Sequence, residues 1–513
     1  MERILYDVLL QLIMAEIKIL INGSENTVIA KDGDNLLEIL IEQGIFLPAS
    51  CGGKGICNKC LVKVAEGEIK GEVKDGNVKS CRAEIIGDVK VEILQWEGGG
   101  LSQFAIRDYT IDKREGYGVA VDIGTTTIVL YLVNLASGNI IDAKSELNRQ
   151  AVFGGDVLSR IRAAEEGKLA RLTEIVRNQI NSAIDKFLTK HTIKEIEKTV
   201  ISGNTTMLHL LYGANPSPMG KAPFKAVFVD TTILNEGIKS KETILLPSSS
   251  AYIGSDIVAG ILSSGMYEAK GKSLLIDIGT NGEMVLKDGE KLTACATAAG
   301  PAFEGGNIEK GMGGSSGAIE KVFLSDGKLA YSVIGGVEAE GICGSGLIDI
   351  IRLLQEEGII DETGFMENYG KNTGLKGQLS DGRFYLDKDI YITQKDIREY
   401  QLGKSAIRSG METLLYDAQL TPNDLTKVYI SGGFGYYMNI NNAIGTGLLP
   451  KDFKDKIINA GNTSGLGAVM CLVNPKNIEI AQEISRGIEI TELSNHPQFI
   501  KSFIDNMSFN PEK

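Results

Sequence analysis

Four cysteines near the start of the chain are the residues best suited to bind a metal. Cys51, Cys57 and Cys60 follow a C-x5-C-x2-C spacing in the run CGGKGICNKC, and Cys81 comes after twenty more residues. Cysteine thiolates are strong ligands for both zinc and iron. The other three cysteines are scattered along the chain, which favours small buried side chains over ligands. The clustered four therefore predict a metal centre.

The spacing favours iron over zinc. Structural zinc sites typically use paired C-x2-C knuckles, and only one such pair is present here. Plant-type [2Fe–2S] ferredoxins use C-x4-C-x2-C with a later cysteine, and the first gap here is one residue longer. Gly52, Gly53 and Gly55 let the backbone fold closely around a cluster, so that amides can hydrogen-bond to its sulfurs. We predict a [2Fe–2S] cluster with a low reduction potential, near roughly −400 mV.

Two Asp-Gly turns indicate a second kind of chemistry. Asp122 lies in VAVDIGTTTIVLYLV and Asp277 in LLIDIGTNGEMVL, each at the end of a β-branched run. The glycine permits a sharp bend, and successive N–H groups with polar side chains can then donate to phosphate oxygens. The residues predicted to contact phosphate are Gly124, Thr125, Thr126, Gly279, Thr280 and Asn281.

The acidic residues near these turns suit a metal-bound nucleotide. Asp122 and Asp277 can hold a hydrated Mg²⁺ from strand ends. Glu283 and Asp256 are candidate catalytic residues that orient the attacking water, with surface salt bridging as the alternative. We predict binding of ATP with Mg²⁺; the alternative is a duplicated scaffold that has lost its nucleotide.

A later glycine-rich turn belongs to the same predicted site. SGGFG contains Gly432 and Gly433 and follows the apolar run VYI. A helix N-terminus after such a turn suits the sugar and α-phosphate of a nucleotide. VISGNTTM at 200–207 resembles VYISGGFG at 428–435. Together with the repeated Asp-Gly turn, this echo predicts two homologous halves.

Hydrophobic periodicity supplies the elements around the cysteines. A strand hairpin, a helix and two further strands are predicted from IKILING, TVIA, NLLEILIEQGI, CLVKVAEGE and DVKVEIL. This order matches an α+β β-grasp ferredoxin, followed by a duplicated α/β region. We predict a ferredoxin-like domain at 16–95, a linker at 96–116, a first half at 117–270, a second half at 271–475, and a tail at 476–513 packed on the second half.

Composition excludes some classes of partner. A net charge of −13 disfavours nucleic acid, because phosphate binding needs a basic surface. The apolar N-terminus is interrupted by Glu2, Arg3, Asp7 and Glu16, so neither a secretory signal nor a membrane span is predicted. We expect a cytoplasmic protein with no membrane partner.

The turn motifs resemble those of the actin-like ATPase superfamily. In that family DIGTTT would be the first phosphate loop, DIGTNGE the second and SGGFG the adenosine loop. The resemblance implies two ribonuclease-H-like domains that close over Mg-ATP. It also implies that the helical stretch 401–420 lies beside the adenine, with Lys404 in the base pocket.

A ferredoxin fused to such an ATPase resembles the reductive activators of corrinoid proteins. Further stretches that carry this resemblance are LNRQAVFGGDVLSRI, SGNTTMLHLL, YIGSDIVAG, ATAAGPAFEGG and GICGSGLIDI. The resemblance implies that the cluster, held by all four clustered cysteines, passes one electron to the Co(II) form of a corrinoid protein, with ATP making the transfer productive. It also implies an electron donor of low potential and a homodimer.

Two other functions remain open from the sequence. One is an ATP-driven electron activator of another low-potential metalloenzyme, such as a 2-hydroxyacyl-CoA dehydratase. Those activators hold one [4Fe–4S] cluster between two subunits and carry no fused ferredoxin, unlike the four-cysteine set in this chain. The other is a redox-sensing, ATP-binding regulator. Stimulation of ATP turnover by a corrinoid partner would distinguish an enzyme from such a regulator.

Overall fold

The computed structural model describes residues 14–21, 24–42, 60–74, 76–93, 110–366, 375–432 and 438–509. Cys51, Cys57 and Gly433 lie outside these residues. The chain divides into two units, which are Met1–Glu97 with Asn148–Val176, and Gly98–Leu147 with Arg177–Lys513. None of the helices in the described ranges is both long and apolar enough to cross a membrane.

The first unit contains the predicted β-grasp sheet. Its elements are β1 (Met14–Ile21), β2 (Ser24–Lys31), α1 (Leu36–Glu42), β3 (Leu61–Lys70), β4 (Val73–Lys74), β5 (Asn77–Lys79) and β6 (Glu84–Ile93). The strand order is β2-β1-β6-β3-β5-β4, with β1 and β6 parallel. Ile17 and Ile19 alternate along β1, and Leu36 and Leu40 are spaced by one turn of α1, so that all four side chains enter one core.

A segment from the middle of the chain packs in this first unit. Its helical elements are α2 (Val157–Ala163) and the beginning of α3 (Leu169–His191). Val152 and Ile175 pack with Leu37 of α1 in one apolar cluster. The predicted first half of the ATPase, 117–270, includes Asn148–Val176, whereas this apolar contact groups the segment with the ferredoxin-like domain.

The second unit begins with a six-stranded sheet. Its elements are β7 (Tyr117–Ile123), β8 (Thr127–Asn134), β9 (Ile140–Leu147), β10 (Lys198–Gly203), α4 (Thr205–Tyr212), β11 (Thr232–Ile233), β12 (Glu242–Leu245) and α5 (Ser255–Ser264). The order is β11-β12-β10-β7-β8-β9. β7, β8 and β9 form an antiparallel meander, and β10 runs parallel to β7 on its other side.

A second sheet repeats this plan. The remaining elements are β13 (Ser273–Ile278), β14 (Gly282–Asp288), β15 (Lys291–Thr297), β16 (Ala318–Ser325), β17 (Lys328–Val333), β18 (Gly341–Ile342), α6 (Gly344–Glu356), β19 (Leu379–Ser380), β20 (Arg383–Tyr385), β21 (Tyr391–Thr393), α7 (Gln394–Asp417), β22 (Lys427–Ser431), α8 (Ile440–Gly445), β23 (Ile457–Gly461), α9 (Thr463–Val473), α10 (Lys476–Gly487), β24 (Ile488–Ile490) and α11 (Pro497–Asp505). The order β23-β22-β13-β14-β15-β24 matches the first sheet strand for strand, except for the outermost additions β11 and β24. The predicted duplicated α/β fold is confirmed.

The last helices connect the two halves of the second unit. α9 follows β23 in sequence, yet it packs against the first sheet. A Cβ atom at Gly118 of β7 would lie 2.7 Å from the side chain of Leu472. β24 pairs with β15 of the second sheet, whereas Gln482 of α10 accepts from the backbone N–H of Thr231 in the first half. The C-terminal segment therefore contacts both halves.

Candidate functional site

The two Asp-Gly turns form matching hairpins at equivalent places in the two sheets. The N–H of Gly124 donates to the carbonyl oxygen of Thr127 at 2.9 Å, and the N–H of Gly279 donates to that of Asn281 at 3.0 Å. Each turn joins the central strand of its sheet to an antiparallel neighbour. The residues predicted to contact phosphate thus occupy two equivalent turns.

Asp122 and Asp277 are each held by a serine hydroxyl. Asp122 is in register with Ser202 on β10, and Asp277 with Ser431 on β22. Ser431 Oγ donates to Asp277 Oδ2 at 2.6 Å, and Ser464 Oγ of α9 donates to Asp122 Oδ1 at 2.7 Å. Hydrogen bonds to a carboxylate are strong and fix its orientation. None of these serines was predicted from the sequence, although the repeated Ile-Ser-Gly runs contain Ser202 and Ser431.

Five acidic side chains crowd together beside these turns, namely Asp122, Asp256, Asp277, Glu283 and Glu304. Burial raises the pKa of Asp277 to about 6, and the charges of Asp122 and Glu304 add to the rise. The pKa of Asp256 is raised to about 8. Burial is the main cause, and repulsion by the charges of Asp277 and Asp122 adds to it. Glu283 lies directly opposite Asp277 on β14, and burial with the charges of Asp256 and Asp277 raises its pKa well above the usual value.

This crowding bears on the two predicted catalytic residues. Asp256 and Glu283 belong to one acidic group in which both pKa values are raised, and a pKa of about 8 leaves Asp256 mostly protonated at pH 7. A protonated carboxyl cannot accept a proton from water, so Asp256 acts as a base only after a cation has lowered its pKa. Their catalytic role stays a prediction.

The acidic group suits a cation that keeps its water shell. Within the described ranges, no set of three or more His, Cys, Asp or Glu side chains is arranged to hold a metal ion directly. Mg²⁺ is commonly bound through one or two carboxylates and several waters. Asp122 and Asp277, at equivalent strand ends, fit that mode of binding.

Glu304 and Asn204 are site residues that sequence analysis missed. Glu304 Oε2 accepts a hydrogen bond from Thr126 Oγ1 at 2.8 Å and another from Thr280 Oγ1. Asn204 begins α4 and donates to Thr125 Oγ1 at 3.0 Å. The polar residues inside the quoted runs ATAAGPAFEGG and SGNTTMLHLL were the available signal, but neither run shows which turn its polar residue reaches.

Gly432 is placed where only glycine fits. Its φ of +92° favours glycine, and a Cβ atom there would lie 2.8 Å from the carbonyl oxygen of Ile278 and 3.2 Å from Asp277 Oδ1. The end of β22 therefore passes close to the second Asp-Gly turn. Contact of Gly432 and Gly433 with a nucleotide stays a prediction.

Lys404 is buried beneath the C-terminal segment in this structure. It has no exposed surface, and its Nζ donates to the backbone carbonyl oxygens of Asn506 and Ser508 at 2.7 and 2.6 Å. The ammonium also lies 5.1 Å from the centre of the Phe509 ring, and burial lowers its pKa to about 7. The predicted role in a base pocket does not agree with this arrangement, because the C-terminal segment encloses the side chain.

Two of the four predicted iron ligands lie side by side in the first unit. Cys60 precedes β3 and Cys81 follows β5, and these two strands pair with each other. Ser80 donates to the carbonyl oxygen of Cys60 through its N–H at 2.9 Å and its hydroxyl at 3.0 Å. Asn35 Nδ2 donates to the carbonyl oxygen of Cys81 at 3.3 Å. The other two ligands, at 51 and 57, lie outside the described residues.

The scattered cysteines are buried, as predicted. Cys295, Cys343 and Cys471 all lie in the core of the second unit. Burial raises the pKa of all three thiols. A thiol held protonated is a poor metal ligand, so these cysteines do not compete with the clustered four.

Three family models match consecutive parts of the chain. Residues 19–85 match the 2Fe-2S iron-sulfur cluster binding domain, residues 117–269 the RACo middle region, and residues 271–513 the C-terminal domain of RACo, the ASKHA domain. Together they cover the ferredoxin-like domain and both halves of the duplicated fold.

Similar proteins match most of the length of the chain. The corrinoid activation enzyme RamQ of Eubacterium limosum is 37% identical over 421 residues, which cover 77% of this chain and 70% of that protein. The [Co(II) methylated amine-specific corrinoid protein] reductase of Methanosarcina barkeri is 28% identical over 413 residues, or 72% of this chain and 73% of that protein. A solved structure titled reductive activator for corrinoid, iron-sulfur protein aligns with a TM-score of 0.71 and 30% identity over 96% of this chain and 98% of its own.

Proposed function

Because the chain belongs to the family of reductive activators of corrinoid proteins, we propose that it uses ATP to drive one electron from a [2Fe–2S] cluster to the Co(II) centre of a corrinoid protein, which restores Co(I). The observation that carries this proposal is the alignment with a reductive activator over 96% of the chain. That alignment covers both the cysteine-bearing domain and the acidic hairpins, so both parts of the proposed coupling are present in one chain.

Four cysteines would hold the cluster: Cys51, Cys57, Cys60 and Cys81. The cluster supplies a one-electron donor of low potential. The donor set fits, because the β3–β5 pairing brings Cys60 and Cys81 together. Leu37 and Ile175 pack beside these two cysteines, which keeps water from that side of the ligands and favours a dry setting for the sulfurs.

The two hairpin turns would bind the phosphates of ATP. Thr126 and Thr280 lie in different halves, yet their Oγ1 atoms are only 3.5 Å apart. A phosphate that accepts from both hydroxyls would therefore touch both halves at once. Mg²⁺, held by Asp122 and Asp277, would neutralise phosphate charge. The raised pKa values of the acidic group support a cation here, because a cation relieves the repulsion that raises them.

Because the proposed nucleotide site lies between the two halves, ATP binding can change how the protein contacts its partner. A cluster whose potential is roughly 100–200 mV too high for Co(II) faces an uphill step of about 2–5 kcal/mol. We propose that ATP binding closes the halves and changes their grip on the corrinoid protein, so that cobalt loses a ligand and becomes easier to reduce. This requires different partner affinities in the open and closed forms.

Binding of Mg-ATP is expected to release protons. At pH 7 Asp256, with a pKa of about 8, holds a proton in the ligand-free chain, and an arriving cation lowers that pKa. We expect release of about one proton or more per chain. Calorimetric titration of Mg-ATP in buffers of different ionisation enthalpy measures this number. Asp256→Asn should remove about one proton from it, whereas a heat independent of buffer would contradict the prediction.

The proposed activity is tested by following cobalt directly. Reduced protein is mixed with a Co(II) corrinoid protein with and without ATP, and Co(I) is measured by its absorbance. We expect Co(I) to form faster with ATP. A non-hydrolysable ATP analogue separates the effect of binding from that of hydrolysis. Equal rates with and without ATP would exclude the proposed coupling.

We further propose that a low-potential electron donor reloads the cluster, that two copies of the chain form a homodimer, and that the protein works in the cytoplasm without nucleic-acid or membrane partners. The net charge of −13 supports the exclusion of nucleic acid. Gel filtration with light scattering tests the dimer.

A further inference from the structure

A short loop after β15 holds Glu304 in a fixed position. The 3-10 turn Pro301–Glu304 is anchored by Ala302 and Phe303, which are both buried in the core. Gly305 closes the turn with a φ of +77°, and a Cβ atom there would lie 2.3 Å from the carbonyl oxygen of Met312. The backbone next to Glu304 is therefore held by packing and by a position that only glycine fits.

The carboxylate of Glu304 occupies the hydroxyls of both phosphate turns. Its Oε2 accepts from Thr126 Oγ1 in the first half and from Thr280 Oγ1 in the second. A Cβ atom at Gly279 would lie 3.7 Å from its other oxygen, Oε1, so the carboxylate also lies along the second turn. Each threonine hydroxyl has one proton to donate. While both donate to Glu304, neither can donate to a nucleotide.

We propose that Glu304 makes this site distinguish ATP from ADP, because it is a built-in anionic competitor for the two threonine hydroxyls and lowers the affinity for the terminal phosphate alone. The proposal rests on the proposed ATP-dependent function. A phosphate oxygen and a carboxylate oxygen are both anionic acceptors of the same kind of hydrogen bond. The two cannot occupy one position, and their like charges repel each other.

The competition makes the response depend on the length of the phosphate chain. In this proposal the γ-phosphate takes the place of the Glu304 carboxylate at the two threonine hydroxyls, and loss of that group on hydrolysis returns both hydroxyls to Glu304. ADP then leaves the hydrogen bonds from Thr126 and Thr280 to Glu304 in place, whereas ATP must break them. A ligand shifts a two-state equilibrium only through a difference in affinity for the two states, and Glu304 supplies that difference between ATP and ADP.

The test compares ATP and ADP affinities of the full-length protein and its variants. Glu304→Gln keeps the shape of the side chain and removes the charge, and Glu304→Ala removes the competitor altogether. Calorimetric titration with Mg-ATP and with Mg-ADP is expected to show ATP binding about 5–20-fold tighter in both variants, with ADP affinity within about twofold of the unsubstituted chain. Glu338→Gln, which removes one exposed carboxylate from the same half, should change neither affinity.

Other outcomes would overturn this role in distinguishable ways. Equal weakening of ATP and ADP binding would make Glu304 a structural support of the turns. Unchanged affinities with slower ATP hydrolysis would make it a positioning residue for the reaction. If the unsubstituted chain bound neither nucleotide, the proposed function would fail together with this inference, whereas unchanged ATP selectivity in a chain that binds both nucleotides would exclude the inference alone. Thermal unfolding of each variant confirms that the compared chains are folded.

Discussion

Asp277→Asn is expected to lower the rate of ATP hydrolysis by about 100-fold or more and, at the same time, to stabilise the nucleotide-free chain. The loss of activity follows because Asp277 is one of two carboxylates that would hold Mg²⁺. The gain in stability follows because Asp277 is ionised above pH 6 although it is buried, and because the charges of Asp122 and Glu304 repel it. We expect the free energy of unfolding to rise by about 1–3 kcal/mol at pH 7.5.

The pH dependence of this gain is part of the prediction. Folding raises the pKa of Asp277 to about 6 from about 3.9 in the unfolded chain. Its favourable contribution is therefore present below about pH 4 and is lost as the pH rises through about 6. The stability difference between the variant and the unsubstituted chain should be absent below about pH 4, grow between about pH 4 and pH 6, and be complete above about pH 6. Urea denaturation at several pH values measures it.

Asp256→Asn gives a stability comparison for this prediction. Folding raises the pKa of Asp256 to about 8 from about 3.9 in the unfolded chain, so at pH 7.5 the chain must take up a proton to bury this group. Asp256→Asn should therefore also raise the free energy of unfolding, by at least as much as Asp277→Asn. A smaller gain from Asp256→Asn would contradict the order of the two pKa values. Asp277→Asn with undiminished hydrolysis would show that the second Asp-Gly turn does not take part in the reaction.

Cys81→Ser is expected to abolish the iron–sulfur centre without loss of nucleotide binding. Serine does not supply the thiolate that holds iron in such clusters, and Cys81 is one of the four proposed ligands. The visible absorption and the EPR signal of the reduced protein should disappear, and ATP-dependent reduction of cobalt should fall at least about 100-fold. ATP affinity, which depends on the second unit, should stay within about twofold.

A second cysteine provides the control for this substitution. Cys343 Sγ donates to the carbonyl oxygen of Ile319 at 3.3 Å, a hydrogen bond that a serine hydroxyl can also make. Cys343→Ser should retain two irons per chain and the S = 1/2 EPR signal of a reduced [2Fe–2S] cluster. Two irons retained in Cys81→Ser would mean that another residue completes the ligand set.

The sequence predicted those features that repeat or alternate. The doubled Asp-Gly turn and the echoing strands were enough to predict two homologous halves, because local turn chemistry and strand periodicity are written in neighbouring residues. The side-by-side position of Cys60 and Cys81 follows from strand pairing in the same way. These features need only short-range patterns and one familiar topology.

Long-range partners could not be predicted in this way. Glu304 meets Thr126 across 178 residues, and no periodicity links the two. Helical spacing around Lys404 indicated a buried face but not the C-terminal segment that covers it. Helical patterns in 148–176 did not show which unit the segment joins. In each case a contact between distant parts of the chain decides the role of the residue.

The return of α9 to the first sheet has a consequence for synthesis of the protein on the ribosome. Ser464 and Leu472 complete the surroundings of β7, yet they leave the ribosome about 200 residues after the first half has been made. At about 5–20 residues per second, that half waits roughly 10–40 s with an uncovered apolar face. We expect the nascent chain to depend on chaperones during this interval. A chain truncated before Thr463 should aggregate rather than accumulate as a folded first half.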